Sequence, residues 1–304
     1  MSGRRLHADQ PDVDAALVKR LIASQHPQWA GLPIERVASD GTTNAIYRLG
    51  SAAAVRLPLV RYGEQAIDVE GRWLPRIAPG LPLVVPAQLA TGEPDAGYPF
   101  RWSVHRWIEG EPVSLVPVED LATLAESLAA WVAALHRIDS TGGPDAVLHD
   151  LRGAPLALRD AETRRGLAAL SDEIDVDAAL AVWEEALRAE PWSRPPVWSH
   201  GDLLPGNLLV RDGRLAAVID FAGLGVGDPA CDLMIAWGLF SGESRAAFRE
   251  ALRDGMRLDE ATWARGRGHA LYHAAIYIPY YRNSNPRGAA AARCQLAAVL
   301  YEGS

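Results

Sequence analysis

Three side chains with metal-binding or proton-accepting groups stand at fixed intervals in the second half of the chain. They are Asp202, Asn207 five positions later, and Asp220 a further thirteen positions on. The residues between Asn207 and Asp220 read as two short strands around the tight turn Asp212-Gly213, which predicts a hairpin. Such a hairpin would direct all three side chains into one cleft. Carboxylate and amide oxygens are the ligands that Mg²⁺ prefers, and a further carboxylate can accept a proton from a hydroxyl group. These are the groups that phosphoryl transfer requires.

The spacing suggests a different role for each of the three residues. A single His-Gly-Asp sequence usually forms a turn in which the aspartate caps a helix, and it would predict nothing by itself. The order Asp202, Asn207 and then an Asp220-Phe221 pair matches the catalytic loop and the metal-binding aspartate of kinases. We therefore predict that Asp202 is the catalytic base and that Asn207 and Asp220 are ligands of Mg²⁺.

The surrounding sequence closely resembles a known family. The segments HGDLLPGN, residues 200–207, and VIDFAGLGVGDPACDL, residues 218–233, are similar to the aminoglycoside phosphotransferase family of small-molecule kinases. The resemblance covers most of the chain, from about Ile34 to Leu300. It implies an α+β, protein-kinase-like fold with an N-terminal antiparallel five-stranded sheet with a helix, and a mostly helical C-terminal lobe. It also implies Mg²⁺, ATP or GTP as co-substrate, a small-molecule hydroxyl acceptor, a role in antibiotic resistance, and a supporting role for His200.

Two features separate the sequence from the protein kinases. Gly201 occupies the position where protein kinases have arginine. Only eight residues after Asp220, Asp228 and Pro229 have the residue types of a helix N-cap and first helical position. This spacing leaves no room for the long segment on which a protein kinase binds its peptide.

The first part of the chain supplies a candidate cation for the nucleotide phosphates. Short strands are predicted at residues 34–39, 45–49 and 53–57, followed by a helix at 64–77. A kinase places a cation on the third strand and pairs it with a glutamate on the following helix. Because Lys19 is the only lysine and lies far upstream, the candidates are Arg56 and Glu70. The alternative is an edge-strand arginine that pairs with Glu70 without any catalytic role.

The linker at residues 40–44 joins the first two strands and is a candidate phosphate-binding loop. It lacks a Gly-x-Gly-x-x-Gly pattern, so its glycine, asparagine and threonine residues alone predict only a turn. By the family resemblance, hydroxyl groups and backbone amides at Ser39, Thr42 and Thr43 cover the nucleotide phosphates.

A hinge is predicted where the sheet ends. Strands four and five are expected at residues 83–85 and 102–108. The resemblance implies that backbone groups near Arg106 and Ile108 bind adenine, a mode of recognition that leaves ATP and GTP undecided.

The chain is predicted to divide at this hinge into a nucleotide-binding lobe, residues 1–109, and a catalytic and substrate-binding lobe, residues 110–304. Periodic apolar residues predict that the second lobe is mostly helical. Its helices are expected at residues 118–138, 156–170, 176–189, 228–240, 243–253, 260–281 and 287–301.

Composition narrows the functional classes. The chain has 304 residues, of which 49% are apolar, and a net charge of −8, so a nucleic-acid-binding surface is not expected. Its two cysteines have no paired spacing, and no stretch reads as a signal peptide or a membrane span. We therefore predict a cytoplasmic protein without nucleic-acid or membrane partners.

Charge is also the main guide to the acceptor. From Glu111 onward the chain has 27 acidic and 18 basic residues, which favours a cationic acceptor such as an aminoglycoside. The acidic segment 172–177 is a candidate lining, whereas the tyrosines of residues 272–281 favour a larger, more apolar acceptor such as a macrolide. An ordinary metabolite kinase of the homoserine, choline or sugar type has the same motifs. A nucleotide-binding pseudokinase scaffold is a further alternative, suggested by Arg56 in place of lysine.

Overall fold

The computed structural model describes residues 5–39, 41–256 and 258–301, without the side chains of residues 254 and 255. Asp40 of the predicted linker and the outermost residues of both predicted lobes lie outside the described residues. The helices and strands in chain order are α1 Ala15–Gln25, β1 Ile34–Arg36, β2 Asn44–Leu49, β3 Ala53–Pro58, α2 Gly63–Ile77, β4 Gln88–Gly92, β5 Trp102–Arg106, β6 Glu111–Pro112, α3 Leu121–Arg137, α4 Asp160–Ala168, α5 Val176–Arg188, β7 Val197–Ser199, β8 Leu208–Arg211, β9 Arg214–Val218, β10 Gly225–Gly227, α6 Ile235–Gly238, α7 Gly242–Met256, α8 Glu260–Tyr281 and α9 Pro286–Leu300.

The N-terminal sheet is antiparallel and has the strand order β1-β2-β3-β5-β4. Alternation along β2 turns Ala45, Tyr47 and Leu49 to one side, where they join a buried cluster with the apolar face of α1. α2 follows β3, and its buried stripe contains one charged residue, Glu70. The predicted α+β, kinase-like arrangement of five strands and a helix is confirmed.

The position predicted for the fourth strand was wrong. Residues 83–85 form no strand, and Val84 makes only an isolated parallel bridge with Ala217 of β9. Pro82 and Pro86 flank this segment, and proline has no N–H to donate to a ladder. The fourth strand is β4, an edge strand whose half-buried sequence QLATG lacks the apolar run that was used to find strands.

The C-terminal lobe has a three-stranded sheet, β6-β8-β9, a two-stranded pair, β10-β7, and helices around them. α8 lies at the centre of these helices, packs against α4, α5 and α9, and is buried on almost all sides. The helices predicted at residues 156–170 and 228–240 were wrong in extent, because each begins as a 3₁₀ helix, Leu156–Arg159 and Pro229–Met234. Among the described residues, no helix is long and apolar enough to cross a membrane.

Candidate active site

The catalytic loop begins where β7 ends and is held by a buried carboxylate. Oδ1 of Asp232 accepts the backbone N–H of Gly201 at 2.8 Å, and Oδ2 accepts that of His200 at 3.0 Å. Nε2 of His136, on α3, lies 3.1 Å from the same Oδ2. Because Asp232 has no solvent exposure, these contacts replace all of its hydration and fix the loop against α3.

The backbone at Gly201 explains why glycine occupies this position. Its φ of +76° lies in the left-handed region, which a residue with a Cβ adopts only with strain. A Cβ built there would overlap the carbonyl oxygen of Gly223, on the loop after Asp220. An arginine, as in protein kinases, therefore cannot fit without moving one of the two loops.

His200 connects the catalytic loop to the end of β9. Its Nδ1 accepts the backbone N–H of Asp202 at 3.2 Å, and its Nε2 donates to the carbonyl of Ile219 at 3.1 Å. The ring also packs on Phe221 with a centroid distance of 4.6 Å. Both nitrogens are thus used by one neutral tautomer, which aligns the backbones that carry Asp202 and Asp220.

Both oxygens of the Asp202 carboxylate have protein partners. Nδ2 of Asn207 donates to Oδ2 at 3.2 Å and to the Asp202 carbonyl at 2.8 Å. Nη1 of Arg152 donates to Oδ1 in an ion pair. Burial would raise the pKa of Asp202, but the charge of Arg152, with smaller effects of His273 and His200 and the hydrogen bond from Arg152, outweighs burial and holds the pKa below its usual value. Asp202 is therefore ionised and held on two sides.

Asn207 and Asp220 are neighbours across the β8–β9 hairpin, as the spacing predicted. The backbone N–H of Ile219 donates to the carbonyl of Asn207 at 2.9 Å, and Leu208 pairs with Val218. Asp220 has a φ of +64°, a conformation that aspartate tolerates better than most residues. Both side chains line the same cleft between the lobes.

The donor groups of this pair fit Mg²⁺. Burial raises the pKa of Asp220, and although Arg56 opposes the rise, the carboxylates of Glu70 and Asp202 add to it. A divalent cation would offset this crowding of negative charge. Across the part of the chain that the structure describes, no cluster of three or more His, Cys, Asp or Glu residues could hold a metal. That is compatible with Mg²⁺ at nucleotide sites, which takes one or two protein ligands and completes its shell with phosphate and water.

Arg56, on β3, joins α2 to the loop that follows β9. Its Nη1 donates to both oxygens of Glu70, at 2.8 and 2.7 Å, and its Nη2 donates to Oδ1 of Asp220 at 2.9 Å. Oε1 of Glu70 also accepts the backbone N–H of Phe221 at 3.0 Å. Glu70 is only 1% exposed, so its charge depends on these partners. The structure thus brings the predicted Arg56–Glu70 pair together at the cleft.

The cleft is a cavity of about 190 Å³ between the sheet and the β8–β9 hairpin. Of the predicted nucleotide-binding residues, Ser39, Thr43, Arg56, Arg106 and Ile108 line it. Thr42 and Glu70 are not among the lining residues. The carbonyl of Thr42 instead contacts Nε2 of His7 at 2.8 Å, and Nδ1 of His7 contacts the hydroxyl of Tyr280, on α8, at 2.9 Å.

The hinge leaves few backbone groups for a nucleobase. The N–H of Arg106 donates to the carbonyl of Ala87, and that of Trp107 to the carbonyl of Ala52, both at 2.8 Å. The N–H of Arg106 is therefore not available to a base in the cleft. Ile108 remains the predicted source of a donor.

Three further side chains of the site were not predicted from the sequence. Arg152 contacts Asp202 from a loop 50 positions upstream, and Asp232 holds the catalytic loop. His105, on β5, lines the cleft and lies 3.7 Å from Oε2 of Glu70, and burial together with Arg56 lowers its pKa to about 3. Asp232 follows the segment GDPAC and could have been found by its position. No local pattern marks Arg152 or His105.

A second cavity, of about 390 Å³, lies in the C-terminal lobe. Its lining is mostly apolar and includes Gly153, Pro155 and Trp192, and the ion pair between Arg265 and Asp228 contributes to its wall. None of the residues predicted for catalysis, nucleotide binding or metal binding lines this cavity.

Comparison with known proteins decides the family. The profile of the phosphotransferase enzyme family, APH, matches residues 34–269. The chain belongs to this family. The predicted family and enzyme class are thereby confirmed.

Individual relatives of this phosphotransferase are distant. A stretch of 59 residues is 38% identical to the aminoglycoside 3′-phosphotransferase of Escherichia coli, but it spans only 19% of this chain and 22% of that relative. The GDP and kanamycin complex of APH(2″)-IIIa has 15% identity and a TM-score of 0.72, and the match covers 94% of this chain and 99% of that one. The macrolide 2′-phosphotransferase MphH of Brachybacterium faecium has 25% identity and a TM-score of 0.60, and the match covers 96% of this chain and 99% of that one.

Proposed function

We propose that this phosphotransferase is a Mg²⁺-dependent small-molecule kinase that transfers the γ-phosphoryl group of ATP or GTP to a hydroxyl group. One observation carries the proposal: Asn207 and Asp220 line the cleft at the two ends of the β8–β9 hairpin, Asp202 contacts Asn207 from the loop before it, and Arg56 reaches Asp220 from β3. A base, two oxygen ligands and a phosphate-binding cation thus lie in one connected set of contacts at the cleft.

In this proposal, Asp202 accepts the proton of the acceptor hydroxyl. The acceptor oxygen forms a bond to the γ-phosphorus, the bond from that phosphorus to the β,γ-bridging oxygen breaks, and a nucleoside diphosphate leaves. The contacts of Asn207 with Asp202 keep the carboxylate in place, and His200 fixes the backbone beneath it. The acceptor is therefore held against a carboxylate that is already ionised and oriented.

Asn207 and Asp220 would hold the magnesium ion, which when bound neutralises the nucleotide phosphates. Arg56 would bind the α- and β-phosphates, as the lysine of other kinases does. Its guanidinium stays charged and can form two parallel bonds to phosphate, which a lysine cannot. Glu70 keeps it aimed into the cleft and limits its movement.

We assign the nucleotide to the cleft lined by Ser39, Thr43 and Ile108. Similar structures bear names that mention GDP, ADP and ATP, so both purine nucleotides stay open for this chain. The two predicted lobes, residues 1–109 and 110–304, meet at this cleft. The pairing of Glu111 with Val210, in the second lobe's sheet, supports that boundary. We keep the cytoplasm as the compartment, because it supplies the nucleotide.

For the acceptor, we propose an aminoglycoside-like polyhydroxylated amine. The acidic second lobe would attract protonated amines through a screened field. The predicted acidic lining at residues 172–177 receives little support, because Glu173 pairs with Arg293 at 2.7 Å and with Arg282 at 3.3 Å, and Asp175 caps α5. A macrolide is the second candidate, because MphH has the higher identity of the two structures compared above.

A panel assay tests the proposal. Purified protein is incubated with Mg²⁺ and either ATP or GTP, and with kanamycin, gentamicin, streptomycin, a macrolide, homoserine, choline or a sugar, at two salt concentrations. Transfer to the aminoglycosides that weakens at high salt is expected. Preference for a metabolite or a macrolide would reassign the acceptor. Nucleotide binding without transfer or hydrolysis would favour the pseudokinase alternative and contradict the proposed activity.

A further inference from the structure

Arg152 reaches the proposed reaction centre from the loop between α3 and α4. Its Nη1 donates to Oδ1 of Asp202 and to the carbonyl of Gly201, the latter at 3.2 Å. The side chains of Arg152 and Asp202 are 27% and 28% exposed, so each is mostly buried but open on one side. A guanidinium therefore lies directly beside the proposed base.

The segment that carries Arg152 is held on both sides. The backbone N–H of Ala146 donates to the carbonyl of Val226, in β10, at 3.0 Å, and the N–H of Asp228 donates to the carbonyl of Gly153 at 2.9 Å. A Cβ on Gly153 would lie 3.1 Å from Oγ of Ser199, at the end of β7. The position of Arg152 is thus set by strands that also carry the catalytic loop.

The hydrogen bonds of Arg152 leave part of its guanidinium free. Both bonds use Nη1, and within the described residues Nη2 and Nε have no hydrogen-bond partner. Arginine carries five N–H donors in a planar fork, which suits a group with several charged oxygens. Arg56, in contrast, uses both of its Nη atoms on Glu70 and Asp220.

The charge balance of the site favours a phosphoryl group as the missing partner. During transfer, negative charge spreads over three equatorial oxygens close to the attacking hydroxyl. Asp202 must also lie close to that hydroxyl, and its carboxylate would repel this charge. A cation at Asp202 offsets the repulsion, and its free donors can follow the phosphoryl group as it moves to the acceptor.

We infer that Arg152 is a substrate-contacting catalytic residue that donates from its free N–H groups to the phosphoryl group in transit. This inference rests on the proposed function. Asp202 takes the acceptor's proton, the new oxygen–phosphorus bond forms as the bond to the nucleoside diphosphate breaks, and Arg152 remains protonated throughout. The alternative is an ion pair that only holds Asp202 in place.

The test uses a mimic of the transferred group, so it does not require the natural acceptor. Binding of the nucleoside diphosphate with Mg²⁺ is measured by calorimetry with and without aluminium fluoride, for the parent, Arg152→Gln and Arg152→Lys. We expect Arg152→Gln to weaken the fluoride complex about 10²-fold, the effect of one lost transition-state donor. Its affinity for the diphosphate alone should change by less than about twofold, and Arg152→Lys should recover part of the loss.

Two comparisons separate this role from a structural one. Arg164→Gln, on α4, removes an arginine that pairs with Asp160 and Glu184 away from Asp202 and should leave both affinities unchanged. In an Asp202→Asn background, Arg152→Gln should still weaken the fluoride complex. If it has no effect in that background, Arg152 acts only through Asp202 and the inference is wrong.

The failure of the inference can be distinguished from failure of the proposed function. A parent protein that forms the fluoride complex or transfers phosphate, together with an Arg152→Gln variant of equal affinity and turnover, would overturn only the inference. A parent that binds nucleotide but neither forms the complex nor transfers or hydrolyses phosphate would overturn the kinase proposal. Urea unfolding of each variant shows whether a loss of affinity is a loss of folding.

Discussion

Nη2 of Arg56, on a strand of the N-terminal sheet, lies 2.9 Å from Oδ1 of Asp220, on a loop of the helical lobe. In the cleft as it stands, the residue proposed for the phosphates and the residue proposed for the metal therefore form an ion pair, in which Arg56 also serves Glu70. A nucleotide with its metal would compete for both partners, so its binding exchanges one set of ionic contacts for another.

Arg56→Ala should destabilise the protein and weaken nucleotide binding, and Arg56→Lys should do less of both. Removal of the guanidinium leaves the Glu70 carboxylate buried without its ionic partner, which costs about 3–5 kcal/mol in comparable pairs. Urea unfolding and nucleotide titration measure the two effects. Arg61→Ala, a change at an exposed residue 3.9 Å from Glu64, is the control and should cost less than about 1 kcal/mol. An Arg56→Ala protein as stable as this control would contradict the assignment.

Asp202→Asn should lower turnover by about 10²-fold or more, because the amide cannot accept the proton of the acceptor. Affinity for the Mg²⁺-nucleotide should remain within about twofold, since the carboxylate acts on the acceptor. Calorimetry and steady-state rates with an acceptor from the panel measure both quantities. Asp212→Asn, at the exposed left-handed turn of the β8–β9 hairpin, is the matched control. Unchanged turnover in Asp202→Asn would remove this residue from the mechanism.

Asp220→Asn and Asn207→Ala should weaken nucleotide binding only when Mg²⁺ is present. Loss of a ligand should reduce metal affinity roughly tenfold or more, since even outer-shell changes have effects of that size. Nucleotide titrations in Mg²⁺ and in excess chelator isolate the effect. If the two variants bind the Mg²⁺-nucleotide as tightly as the parent, the metal ligands have been assigned wrongly.

Asp232→Ala should destabilise the fold and lower turnover together, although Asp232 contacts neither nucleotide nor acceptor in our proposal. The change leaves the buried N–H groups of His200 and Gly201 without an acceptor, at about 1–3 kcal/mol each. Urea unfolding measures the first effect and rates at low temperature, where the variant stays folded, measure the second. Full turnover in the folded variant would show that the catalytic loop does not need this anchor.

His269 should make the protein sensitive to acid. Burial lowers its pKa to about 4, and neither ring nitrogen has a protein hydrogen-bond partner within the described part of the chain. Between about pH 6.5 and 4, the unfolded chain binds a proton at this position that the native state does not, so stability falls as pH falls.

Replacement of this histidine should therefore reduce the loss of stability on acidification. His269→Leu should lose about 2 kcal/mol less than the parent between pH 7 and 5, because the unfolded chain takes up this proton near pH 6.5 and each pH unit below that corresponds to about 1.4 kcal/mol. Urea unfolding at pH 7, 6 and 5 measures this difference. His149→Gln, at an exposed histidine, should behave as the parent. Equal acid sensitivity of His269→Leu and the parent would contradict the account.

The parts of the site that the sequence predicted are those set by contacts close in the chain. Asn207 and Asp220 flank one hairpin and Asp202 lies five positions before Asn207, so their spacing determines their arrangement once the strands pair. Arg56 lies near the end of β3, and Glu70 lies two turns into α2. The apolar periodicity that predicts this strand and this helix therefore also fixes the separation of the two residues. The helix predicted at residues 260–281 also depends on local pattern. Its predicted bounds equal the observed ones, and it begins directly after its N-cap, Asp259.

The remaining parts depend on contacts between distant segments. Arg152 meets Asp202 because β10 holds its loop, and no residue near Arg152 signals that pairing. The fourth strand was misplaced because an edge strand exposes one side and does not need an apolar run. Thr42 does not line the cleft, and its carbonyl contacts His7, 35 positions away. Such pairings follow from tertiary packing, which a local pattern does not contain.

His7 contacts Thr42 in the first lobe and Tyr280 in the second, so a segment outside both sheets joins the two lobes. This histidine is 8% exposed, and aromatic contacts with Tyr280 and Tyr281 hold it there. A fusion tag or a truncation immediately before this residue is therefore expected to disturb this contact between the lobes. Rates measured on such a protein would describe the altered enzyme, and comparison of tagged with untagged material belongs among the first measurements.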